Sequence, residues 1–202
     1  MYAIVTDNEI TKLISYPKSL VIGDVRYPTK IFQLWSTSEL NAIGIYKVVF
    51  DDSNKKDEKW YINTNQSFAF ADNKVTGTYG TATARPHADT LYTQEEEDDG
   101  EGTKDDVKTE GLKTVLIRAV KKQAEGILNE TDWYITRKTE KSTAIPSAIT
   151  THRDAVRTKQ ASMETAITNA ADTPALETLY TFTEQEDGSV TRPLGVLPTL
   201  GD

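Results

Sequence analysis

The stretch DDVKTEGLKTVLIRAVKKQAEGIL, residues 105–128, decides how the chain is read. Its apolar residues Leu112, Leu116, Ala119, Val120, Ala124, Ile127 and Leu128 recur at three- and four-residue spacing. That is the periodicity of one helix face. Asp105 and Asp106 suit the positive end of such a helix, and Lys121 and Lys122 suit its later part. Thr131-Asp132 then caps a continuation carrying Trp133, Tyr134, Ile135 and Arg137. After a connection over residues 141–145, Pro146 is well placed at a first helical turn. Ile149, Val156 and Met163 repeat every seven residues, and Ile167 follows four later. Two narrow stripes in succession predict an antiparallel helical hairpin or coiled-coil-like pair over residues 107–180. So thin a pair buries little by itself, and it gains from other surfaces or from copies of itself. Thr173-Pro174 restarts a short helix through Leu176 and Leu179.

Upstream the period shortens. Tyr2–Val5 and Ile10–Ile14 are apolar runs flanking Asp7-Asn8, a hairpin signal. In Trp35-Ser36-Thr37-Ser38-Glu39-Leu40, Ser36 and Glu39 form a capping box, with Trp35 and Leu40 at the staple positions. Gly44 stands where the chain leaves in a left-handed conformation, so a helix is predicted over residues 36–43. Residues 45–50, 60–63, 67–71 and 75–79 read as strands, with turns at Thr64-Asn65 and Asp72-Asn73. Tyr61, Phe68 and Phe70 are candidates for cross-strand aromatic packing.

The expected fold is therefore α+β. Residues 1–93 form a small antiparallel β-rich domain with one short helix, and residues 107–180 form the helical hairpin. Residues 94–106 connect them, and residues 181–202 are an extended arm. The connecting stretch owes its assignment to charge. Glu95–Asp106, EEEDDGEGTKDD, carries eight acids and one lysine, a net of −7 out of −8 for the chain. Such density repels itself and reads as an exposed linker or loop. A calcium loop starting at Glu97 would place Lys108 where a bidentate glutamate is required.

The arm owes its assignment to composition. Residues 191–200, TRPLGVLPTL, are apolar, punctuated by proline and without helical period. Leu194, Val196, Leu197 and Leu200 are the candidate docking residues, laid on a neighbouring chain, with docking on this chain or disorder as the alternatives. Leu112, Leu116, Val120, Ile127, Trp133, Ile149, Val156, Met163 and Ile167 are the candidate packing and oligomer-interface residues.

Several chemistries find no starting point. There is no cysteine, and His87 and His152 are the only histidines. Disulfides, thiolate chemistry and a multi-histidine metal centre within one chain are therefore excluded. Neither a nucleophile elbow nor a phosphate loop occurs. His152-Arg153-Asp154 falls mid-helix with no paired serine motif, so it reads as a surface helix face. No catalytic, cofactor-binding or metal site is expected. Nucleic-acid binding lacks a basic patch. The Asn65-Gln66-Ser67 and Asn129-Glu130-Thr131 glycosylation patterns read as chance. The start lacks the basic and apolar regions of a signal peptide, and no apolar run approaches the ~20 residues of a membrane helix. A soluble chain without export signal is expected.

Met1–Val5, the Trp35-Ser36…Glu39-Leu40…Gly44-Ile45-Tyr46-Lys47-Val48 segment, Ile127–Lys138, Ala144-Ile145-Pro146 and Arg153–Arg157 together resemble a group of small tailed-bacteriophage virion proteins associated with tails, baseplates or tail fibres. The blocks cover most of residues 1–50 and 107–180. The Thr131–Tyr134 segment is also similar to the C-terminal region of tail-fibre assembly proteins. The acidic insert and the chain after Tyr180 depart from the pattern, so no role is carried there. The resemblance implies a virion structural subunit, a tail, baseplate or tail-fibre component, that joins copies of itself and other virion proteins. The alternative it implies is a tail-fibre assembly chaperone absent from the mature particle. It implies no catalytic residues.

Overall fold

A computed structural model describes residues 1–64 and 66–201. The fold is mixed: seven helices and a curled five-stranded sheet, with four two-stranded ladders, among the described residues. The chain divides into two compact units, Met1–Thr83 and Ala84–Asp202.

In the first unit β1 (Tyr2–Thr6) and β2 (Glu9–Ile14) form a hairpin. Its turn residues Asp7 and Asn8 have φ of 52° and 64°. Two successive left-handed residues match the twist of paired strands, and Asp and Asn tolerate that conformation better than other side chains. Short strands β3 (Leu20–Ile22) and β4 (Val25–Tyr27) pair next, followed by α1 (Ile31–Leu34) and α2 (Thr37–Ala42). The capping box at Ser36 and Glu39 is complete: the Ser36 N–H donates to Glu39 Oε2 at 2.7 Å, and the Glu39 N–H to Ser36 Oγ at 3.3 Å. Gly44 ends this segment at φ 80°, its carbonyl accepting from the Val5 N–H at 2.8 Å. Two short helices precede β5, where one was expected.

The sheet continues with β5 (Ile45–Asp51), β7 (Ser67–Ala71) and β8 (Lys74–Thr78), in the order β2-β1-β5-β8-β7. The short strand β6 (Tyr61–Ile62) stands outside it. Asp72 and Asn73 repeat the double left-handed turn between β7 and β8. The expected antiparallel meander is corrected here, because β8 runs parallel to β5. The chain from Asp52 to Gln66 is long enough to return β7 on the outside and bring β8 back beside β5 in the same sense. Phe68 and Phe70 pair with Phe50 and Tyr46, at ring-centroid separations of 6.4 and 4.8 Å. Gly77 lies in register with both Phe50 and Phe68, and a Cβ there would meet each ring at 3.0 Å. The predicted turn at Thr64-Asn65 and the Asn65 glycosylation pattern fall in part outside the described residues.

Strand alternation gives the sheet two apolar faces. Ile4, Ile14 and Ile45 lie on the face covered by α1, α2 and β3–β4 with Leu20, Ile31, Phe32 and Leu40. Ala3, Val48 and Val75 lie on the other, with Val5, Tyr46, Phe68 and Phe70 against them.

The second unit follows the short strand β9 (Thr83–Ala84). It opens with β10 (Thr90–Leu91), α3 (Gln94–Asp98) and β11 (Val107–Thr109). β10 and β11 pair. The acidic stretch is thus an excursion inside the second unit, closed at its base, and the boundary between units falls earlier in the chain than residue 94. Asp105 has φ 65° and residues 107–109 are strand, so the long helix begins at Leu112. The helices are α4 (Leu112–Asn129), α5 (Asp132–Lys141), α6 (Ser147–Asn169) and α7 (Thr173–Tyr180). Strands β12 (Thr183–Glu184) and β13 (Val190–Thr191) pair ahead of the last residues, so the segment after Tyr180 is not wholly without secondary structure. Among the described residues no helix is long and apolar enough to cross a membrane.

Candidate functional site

The second unit is organised by α4 packed on α6. Lys113 Nζ donates to the Thr168 carbonyl at 2.8 Å, Lys121 Nζ lies 3.5 Å from Glu164, and Arg153 reaches the Leu128 carbonyl. Residue numbers rise on one helix as they fall on the other, so the two run antiparallel. Leu116, Val120 and Ala124 are buried on α4; Ile149, Val156, Met163 and Ile167 are buried on α6. Leu112 and Ile127 are partly buried. Trp133 stands apart from this set, on α5 and 51% exposed.

The start of α4 is held from a distance. Its N-cap is Gly111, which has no side chain to offer. Asp89 supplies the acceptor instead, Oδ1 taking the Gly111 N–H at 2.6 Å and Oδ2 the Thr114 hydroxyl at 2.7 Å. These bonds, the Gly111 N–H first, hold the Asp89 carboxyl below its ordinary pKa. The Leu112 and Lys113 N–H groups donate to the Pro86 and His87 carbonyls at 3.0 Å each. Three of the backbone N–H groups that a helix start leaves open thus find partners in residues 86–89, with the Thr114 hydroxyl beside them. A Cβ at position 111 would lie 2.3 Å from the Ala88 carbonyl, so this approach requires glycine.

The junction between α4 and α5 is held by Arg153, which is 7% exposed. One terminal nitrogen donates to the Leu128 carbonyl at 2.7 Å and to Thr131 Oγ1 at 2.6 Å; the other reaches Asp132 at 2.8 Å. The Thr131 hydroxyl donates to the same Leu128 carbonyl at 3.0 Å. Thr131 therefore serves the preceding helix end rather than capping α5 by its side chain. The reading of Arg153 as part of a surface face is corrected. A cation placed among the last carbonyls of α4 meets the negative end of that helix, which makes its burial tolerable. The Arg153 Nε has no partner among the described residues.

On α5 the Trp133 and Tyr134 rings lie 3.8 Å apart, and the Arg137 guanidinium stands 4.7 and 5.1 Å from their centroids. The chain after Tyr180 folds back onto its own unit. Leu194 is 2% exposed and its N–H donates to the Leu179 carbonyl at 3.0 Å. The Arg192 guanidinium lies 5.2 Å from both the Tyr180 and Phe182 rings, and its Nε donates to the Gly195 carbonyl at 2.9 Å. Desolvation outweighs this nearby cation and pushes the Tyr180 hydroxyl above its ordinary pKa. Leu197 is partly buried, while Val196 and Leu200 are 64% and 53% exposed. The four arm residues thus comprise an intrachain anchor, Leu194, a partly buried Leu197 and an outward-facing pair.

Among the described residues no group of three or more histidine, cysteine or acidic side chains is placed to hold a metal ion. Asp89, Thr131 and Arg153 were the organising residues that sequence reasoning missed. The sequence marks Thr131 only as a cap for α5 and Arg153 only as part of a surface face, and nothing in their spacing indicates burial. Comparison with protein-family models, with curated proteins and with solved structures found no match.

Proposed function

We propose that the chain is a non-catalytic structural subunit of a tailed-bacteriophage virion, a tail, baseplate or tail-fibre component that joins copies of itself and neighbouring virion proteins. The observation that carries the assembly part of this reading is the exposed apolar surface of the second unit. Trp133, Ile135, Phe182, Val196 and Leu200 are all exposed there. Exposed apolar groups favour association where they meet in one patch; the first unit exposes such groups as well, Tyr16, Val21, Val25 and Leu34 among them. The Trp133–Tyr134–Arg137 stack has the residue types that dominate protein interfaces. The virion part of the reading rests on the sequence resemblance. The helical pair α4–α6 is the scaffold that would hold these groups in register, and the chain from Val196 to Leu200 would extend the contact to a neighbour.

The test is detection of the chain by mass spectrometry in purified particles of the phage that encodes it. Stoichiometric retention after stringent purification is the expected result. Absence from particles, with association to fibre proteins in the infected-cell lysate, would replace the subunit with the assembly chaperone.

A further inference from the structure

The first unit carries a cavity of about 540 Å³ over β1, β2 and the β3–β4 ladder. Its lining combines the apolar side chains of Ile4, Ile14 and Leu20 with three cations, Lys12, Lys18 and Arg26. No acid lines it. Residues 1–83 contain nine lysines and arginines and nine acids, so a neutral unit has gathered a third of its cations at one opening. Among the described residues none of the three forms an ion pair; Lys18 Nζ has only the Tyr16 ring, 5.7 Å from its centroid.

The complementary charge lies on the second unit. The acidic excursion is closed by the Tyr92 N–H donating to the Asp106 carbonyl at 3.0 Å and the Asp105 N–H to the Tyr92 carbonyl at 3.1 Å. A capping box joins Thr93 to Glu96, and Lys108 pairs with Glu96. Glu95, Asp98, Asp99, Asp105 and Asp106 have no ion-pair partner among the described residues. A segment already folded loses little conformational entropy on binding.

We infer that the cavity of Lys12, Lys18 and Arg26 receives the acidic excursion, residues 95–106, of a second copy of this chain. The inference rests on the proposed self-associating subunit and names its contact. Opposed charge steers the encounter and sets its orientation. A groove on one unit and a knob on another make a heterologous contact, which gives rings where the rotation closes and filaments where it does not.

The test uses the full chain, the triple variant K12E/K18E/R26E, the excursion variant E95K/D98K/D99K, and the chain combining both sets. All six side chains are exposed, so each variant is expected to keep the wild-type circular dichroism. Association is followed by sedimentation velocity at about 50 mM and about 500 mM salt, where screening lengths differ severalfold. Each reversed variant alone is expected to lose at least tenfold in association constant. The combined chain, or a mixture of the two reversed variants, is expected to recover it. Association unchanged in both reversed variants would overturn the inference while leaving a self-associating subunit in place. Loss without recovery would overturn it as well, since complementarity is its content. A wild-type chain monomeric at every salt and concentration would remove the proposed self-association along with it.

Discussion

Replacing Arg153 separates what its charge does from what its length does. In Arg153→Ala the α4 end loses charge-assisted bonds to the Leu128 carbonyl and Thr131 Oγ1, a net of about 1.5–3 kcal/mol. Two methylenes of the buried stem go too, at about 0.8 kcal/mol each. Removal of the unpartnered Nε returns about 1 kcal/mol. The Leu128 carbonyl keeps the Thr131 N–H and hydroxyl as donors, and the half-exposed Asp132 returns to water, so no large orphan penalty remains. The expected loss is about 2–4 kcal/mol. Arg153→Met keeps the stem and removes both the bonds and the buried cation. Exchanging a buried ion pair for a well-packed apolar chain is often close to neutral, so about 0–1.5 kcal/mol is expected. Urea unfolding followed by helical circular dichroism reads both. Equal losses in the two variants would refute the reasoning, because the stem would then contribute nothing. A neutral Arg153→Ala would show that the junction does not depend on this residue.

Three further outcomes follow from the same geometry. The Asp89 carboxyl is held below its unfolded pKa, so its contribution is full above that value, about pH 4, and fades as pH falls through the folded one; Asp89→Ala should melt at lower temperature than wild type at pH 7, with the gap closing in acid. Gly44→Ala places a side chain at φ 80° with its Cβ 2.7 Å from the Val5 carbonyl oxygen, so a loss of at least about 1–2 kcal/mol is expected in first-unit stability, read by Trp35 and Trp60 fluorescence on unfolding. Leu194→Ala should cost about 2–5 kcal/mol at the arm's anchor and speed proteolysis within residues 181–191, while helical circular dichroism stays near wild type; cleavage no faster than wild type would show the anchor to be dispensable.

What could be read in advance was local. The Ser36–Glu39 box and the Asp7-Asn8 and Asp72-Asn73 turns depend on neighbours within a few residues, and so does a buried stripe at Ile149, Val156 and Met163. The parallel pairing of β5 with β8 could not be read, because alternation marks a strand without naming its partner. The start of α4 was misplaced because Asp105 and Asp106 satisfy a helix-start rule, whereas the cap that forms comes from Asp89 across 22 positions. Arg153 was read as exposed because charge is usually solvated; its partners, Leu128, Thr131 and Asp132, meet it only once α4 and α6 have packed. The arm looked free for a neighbour because its composition is apolar, but composition does not separate Leu194, which is buried, from Val196 and Leu200, which are exposed.

The central claim is that the exposed apolar surface of the second unit joins copies of the chain. The most direct measurement is the mass-determined oligomeric state of the full chain beside Trp133→Ser/Val196→Ser/Leu200→Ser. This variant leaves the Leu194 anchor and the α4–α6 seam intact. A defined oligomer that dissociates in the variant is the predicted result. A monomer in both, across the accessible concentration range, would contradict the account.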